Sequence, residues 1–238
     1  MEIGIFGDSF AYENVLNEKY IDHPNVKNIG KSWVTHLRND FSITNYSVKG
    51  CEPFYMYKKF LKEHANYEKI IFVFPRPGRF SLKVDEKEIH IPHVPNIENL
   101  INSANTQKEK ETYLAYKYWY DHLRNDHREC FFANLLKKEI KNIRPDVFII
   151  YGANWMFKDK TSPIIHISYQ ENDAWNETFW TIRDSYVDLR YNHLIKENNE
   201  LLYKYISKCI KENKRIKINP KEFIVPDNQM KDTYLIKK

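Results

Sequence analysis

The residues best suited to chemistry in this 238-residue chain are Gly7-Asp8-Ser9, standing where the apolar run of residues 2–6 (EIGIF) ends. A serine hydroxyl is a poor nucleophile until a base takes its proton. A strand-to-helix turn at the carboxyl edge of a parallel sheet exposes such a side chain. It also brings backbone N–H groups close enough to stabilise a developing oxyanion. Ordinary strand turns can carry the same triplet, so Asp8 and Ser9 gain meaning only from partners elsewhere in the chain. Other chemistries find less support. His90, His93, His122 and His127 match no spacing of Cys, His and carboxylate that holds a metal. The sequence has neither GxxxxGK[ST] nor GxGxxG, and glycine is scarce at six residues, so no phosphate-cradling loop is expected.

Short apolar runs alternating with helical patterns are expected to position that turn. Strands are predicted over residues 2–6, 41–47, 69–74, 145–151 and 163–168, with helices over 31–39, 53–65 and 193–213. This alternation predicts βαβ units around a parallel sheet. Between the third and fourth strands lie about 70 residues, far more than one crossover needs. Within this insertion (about 81–142), residues 81–94 read as a hairpin turning near Asp85-Glu86-Lys87. Residues 109–142 read as one long helix or two shorter ones. Tyr113, Tyr116, Trp119, Tyr120 and Leu123 would share a face there, as core or as a lid. The tail (about 219–238), with Pro220 and Pro226, is expected to be irregular. With no repeat or linker in view, the whole chain reads as one domain.

Three blocks together resemble the SGNH/GDSL hydrolase family: residues 3–10 (IGIFGDSF), 45–50 (NYSVKG) and 188–194 (DLRYNHL). The resemblance implies a flavodoxin-like three-layer α/β/α sandwich. It implies Ser9 as nucleophile, the Gly50 N–H as an oxyanion donor and His193 as general base. It also implies Asp188 as the acid that orients the imidazole, with Asp184 or a backbone carbonyl as alternatives. The activity implied is that of an esterase or acylhydrolase working through an acyl-enzyme, with no cofactor. The substrate would be a small-molecule or glycan ester, and a small acyl group such as acetyl is preferred.

Two departures from the family pattern bear on the site. Arg190 occupies the position three residues before the His where the family places its acid, and Asp188 lies five before. No Asn follows the third strand, where the family has its oxyanion-hole side chain. Arg76 falls nearest that position and can donate hydrogen bonds. Asn154, after the fourth strand, is the alternative. These departures keep a rival reading open, in which a degenerate module of the same fold binds carbohydrate or a protein partner without catalysis. A nucleotide- or flavin-binding doubly wound protein is disfavoured by the missing glycine-rich loop.

The bulk numbers exclude more than they assign. A hydrophobic share of 42% and an aromatic share of 15% support a packed core. A net charge of +5, from 37 basic residues among 32 acidic ones, is too mild and too mixed to imply nucleic-acid binding. No stretch reaches the roughly 18 apolar residues of a membrane span. The N-terminus lacks the pattern of a signal peptide, so the cytoplasm is expected. Cys51, Cys130 and Cys209 are scattered, which points to reduced thiols. The Lys/Asn/Ile/Tyr-rich composition and the 188–193 block are similar to phage-encoded members of the family, which leaves association with a virion open.

Overall fold

The computed structural model describes residues 1–13, 22, 24–28, 30–75, 79–84, 87–91, 95–123, 125–151, 164–166, 186–188, 194–214, 222–224 and 235–237. In chain order the strands are β1 (Glu2–Phe6), β2 (Ser42–Asn45), β3 (Lys69–Phe74), β4 (Phe80–Val84) and β5 (Lys87–Ile91). They continue with β6 (Phe148–Tyr151), β7 (Ile164–His166), β8 (Tyr186–Asp188) and β9 (Leu235–Lys237). Five of them form one parallel sheet in the order β2-β1-β3-β6-β7. The chain moves from β1 outward to β2, then crosses back to β3 on the other side of β1. Parallel neighbours need such crossovers, which cover both faces of the sheet. The order reverses between β1 and β3, so a crevice is expected there at the carboxyl ends of the strands.

Period-two alternation divides the strand side chains between two cores. Ile3 and Ile5 of β1, Ile71 and Val73 of β3, and Phe148 and Ile150 of β6 face one way. There they meet α1 (Trp33–Leu37) and α6 (Lys196–Glu212) through Trp33, Val34, Leu37, Leu202 and Ile206. Phe6, Ile70, Phe72, Phe74 and Ile149 face the other way, against Met56 and Phe60 of α2 (Pro53–Glu63) and Ala133 and Ile140 of α5 (Asp126–Ile143). Each such buried side chain contributes about 1.5–3 kcal/mol, so the two cores outweigh any local helix preference. The result is a three-layer α/β/α sandwich. Helix starts follow local chemistry: Ser32 caps α1 by accepting from the Thr35 N–H, and Pro53 opens α2 where its missing N–H costs nothing.

The insertion between β3 and β6 holds the β4–β5 hairpin, whose antiparallel register runs from Phe80↔Ile91 to Val84↔Lys87, as the pattern predicts. The helical part divides into α3 (Pro95–Asn102), α4 (Gln107–Tyr118), a π-turn at Trp119–Leu123 and α5. Thr106 and Glu109 form a capping box at the start of α4. Tyr113 and Tyr116 are buried with Ile97 of α3, whereas Leu123 is exposed.

Near the C-terminus the structure corrects three expectations. Helix α6 begins at Lys196, not at His193, because Leu194 and Ile195 bury their side chains with the chain extended (Ile195 ψ 163°). Residues 186–188, where no strand is predicted, form β8. The tail is not wholly irregular, since β9 pairs antiparallel with β8, Val187 opposite Ile236. Strands as short as β8 and β9, with no longer apolar run around them, leave no periodicity to read.

Candidate active site

The turn that follows β1 is built around Gly7. A Cβ there would stand 2.7 Å from Val73 Cβ and 3.0 Å from the Val73 carbonyl oxygen, so β3 leaves room only for hydrogen. Asp8 then caps a short 3-10 turn, Ser9–Ala11. Its backbone is extended, Oδ1 accepts from the Phe10 N–H at 3.1 Å, and its carbonyl accepts from Ala11 at 3.0 Å. Ser9 opens that turn and is buried at 6% exposure. The serine therefore sits past the carboxyl end of β1, beside the point between β1 and β3 where the strand order reverses.

The chain after β2 is stitched along this turn. Tyr46 N–H donates to the Ile5 carbonyl at 2.8 Å, and Val48 N–H donates to the Gly7 carbonyl at 3.0 Å. Asn45 Nδ2 donates to the Ala11 carbonyl at 2.8 Å while its Oδ1 accepts from Ser47 N–H at 3.0 Å. Gly50 takes a positive φ of 69°, a turn conformation that suits glycine. The next residue, Cys51, donates its thiol to the Gly7 carbonyl at 3.3 Å. Burial, with the adjacent Asp8 charge, pushes that thiol far above its ordinary range, while the Arg79 charge pulls the other way. Cys51 is therefore a packed thiol, not a second nucleophile.

Asp8 has another partner that the spacing of the sequence did not reveal. Its Oδ2 accepts from Nη1 of Arg79, which stands just before β4 in the segment following β3. Asp8 is 1% exposed and the Arg79 side chain 12%, so the ion pair is largely withdrawn from solvent. It joins the β1 turn to the chain that leaves β3. Arg79 Nε and Ser47 Oγ are buried and have no hydrogen-bond partner among the described residues.

A second connection runs from the Ser9 turn toward the C-terminal block. Trp33 Nε1 donates to the Phe10 carbonyl at 2.8 Å. Trp33 N–H in turn donates to Asn199 Oδ1 at 3.0 Å, and Asn199 Nδ2 donates to the carbonyls of Leu194 and Ile195, each at 3.3 Å. The residue after Ser9 is thus joined through two buried side chains to the residue after His193. A buried Asn at the start of a helix carries a local signal for capping, but nothing local pairs it with Trp33.

Of the expected site residues, Asp8 and Ser9 lie in the turn after β1, and Gly50 stands in the chain that Val48 and Cys51 bond to the Gly7 carbonyl. Asp188 is placed at the end of β8, opposite Leu235 of β9. His193, Arg76 and Asn154 lie outside the described residues. Among the described residues no group of His, Cys, Asp and Glu could hold a metal ion, and no helix is long and apolar enough to cross a membrane.

No protein-family model and no curated protein matches the chain. Among solved structures, the lipase/acylhydrolase from Enterococcus faecalis is similar at 14% identity and a TM-score of 0.35, covering 91% of this chain and 99% of that one.

Proposed function

We propose that this chain is a serine hydrolase of the SGNH/GDSL type that cleaves an ester of a small acyl group, with Ser9 as nucleophile and His193 as base. The supporting observation is the position of Ser9. It opens a tightly determined turn at the carboxyl end of β1, beside the point where the strand order reverses. The Trp33–Asn199 link from Phe10 to Leu194 supports the pairing with His193. In the reaction, Ser9 Oγ bonds to the acyl carbon as its proton passes to His193, and the carbonyl electron pair moves onto oxygen. Collapse of the tetrahedral intermediate expels the alcohol, which takes the proton back from His193. Water then releases the acyl group by the same route, and Asp188 is the acid proposed to orient the ring.

The test is labelling by a fluorophosphonate probe, followed by turnover of p-nitrophenyl acetate. Wild type should label, and both Ser9→Ala and His193→Ala should lose labelling and about 10,000-fold or more in turnover. A folded wild-type protein that resists the probe would sink this reading and favour carbohydrate or partner binding without catalysis.

A further inference from the structure

The geometry points to Arg79 as the side-chain donor to the oxyanion, held in place by Asp8. This inference rests on the serine-hydrolase reading of Ser9. The resemblance directs attention to the segment after β3, where Arg76 falls nearest the vacant Asn position. The residue of that segment which meets the nucleophile turn is Arg79.

Asp8 divides its carboxylate between two tasks. Oδ1 holds the Phe10 N–H and so shapes the turn carrying Ser9, while Oδ2 holds Arg79 Nη1. The guanidinium, on the chain that leaves β3, is thereby anchored one residue from the nucleophile. Its plane carries five N–H donors in a fixed fork, and the link to Asp8 uses one nitrogen. Nε is buried with no acceptor among the described residues, and buried donors are ordinarily paired. When Ser9 attacks, negative charge develops on the carbonyl oxygen. A cationic donor fixed beforehand in a largely dry site stabilises that charge without reorganising. An Arg anchored by a carboxylate thus supplies what the missing Asn would have supplied.

Rates of fluorophosphonate labelling and of p-nitrophenyl acetate turnover would be compared for wild type, Arg79→Gln, Asp8→Asn and the double variant Asp8→Asn/Arg79→Gln. The double variant removes both charges together and leaves no unpaired buried ion, which keeps the test open if a single variant fails to fold. Arg79→Gln and the double variant, both folded by circular dichroism, are expected to fall about 100- to 1000-fold in kcat with KM little changed. Asp8→Asn, which keeps an acceptor for Phe10, should fall less. Labelling of a folded Arg79→Gln or double variant within about threefold of wild type would overturn the proposal while leaving Ser9 as nucleophile. An equal loss in Asp8→Asn and Arg79→Gln would also overturn it, because Arg79 would then act only through the turn. Failure of wild type itself to label would remove both readings.

Discussion

At Gly7 one methyl group would have to fit against Val73 Cβ at 2.7 Å and against backbone at 3.0 Å, and neither can swing aside. Gly7→Ala should therefore push the turn away from β3. It is expected to cost about 1–3 kcal/mol by overpacking and to slow labelling of Ser9 roughly tenfold or more. Urea unfolding and probe kinetics would check this, and an unchanged midpoint would mean that β3 does not confine the turn. Gly-Asp-Ser could be read in the sequence because the whole device is local, one strand end and three consecutive residues. Arg79 could not be, because its bond to Asp8 joins residues 71 apart. Arg76 and Arg79 are chemically alike, and the path of a loop decides which one reaches a given carboxylate.

The elements that carry the site are held by side chains whose partners lie on other elements. Asn199, fully buried on the first turn of α6, ties the start of α1 to the start of α6. Asn198 beside it instead holds both backbone groups of Ile224 in the tail, at 2.8 and 2.9 Å. Asn199→Ala would remove the acceptor of the buried Trp33 N–H, at an expected cost of about 1–3 kcal/mol. It should also slow Ser9 labelling, because the chain adjoining His193 loses its tether to the Ser9 turn. Asn198→Ala should lower stability but leave the labelling rate close to wild type. Equal labelling rates in the two variants, measured well below their unfolding temperatures, would show that the tether has no bearing on the site. The sequence pattern does show α6 as an amphipathic helix. Its start was misread because Leu194 fits the apolar stripe equally well as a helical residue or as an extended one buried in the same core.

Across the whole molecule, short apolar runs set between helical patterns made the parallel sheet legible, since strands buried on both faces, such as β3 and β6, read as continuous apolar stretches. The insertion was legible only in part. The hairpin shows as alternation, but α3 and the π-turn depend on how Ile97, Tyr113 and Tyr116 meet, and that is a tertiary fact. Helix α5 joins the large core beside α2 through Cys130, Ala133 and Ile140, whereas α3 and α4 bury a separate, smaller cluster. Local opening free energy follows the apolar surface that a unit buries. Amides of β1 and β3 should therefore exchange slowest, those of α5 close behind, and those of α3 and α4 much faster. Hydrogen exchange read by mass spectrometry resolves these segments. Fast exchange in α3 and α4 beside slow exchange in α5 would mark α3–α4 as a unit that opens without unfolding the sheet. Uniform exchange across the three helices would instead mean that the insertion and the sandwich unfold as one, and mutations in the smaller cluster would then lower global stability in full.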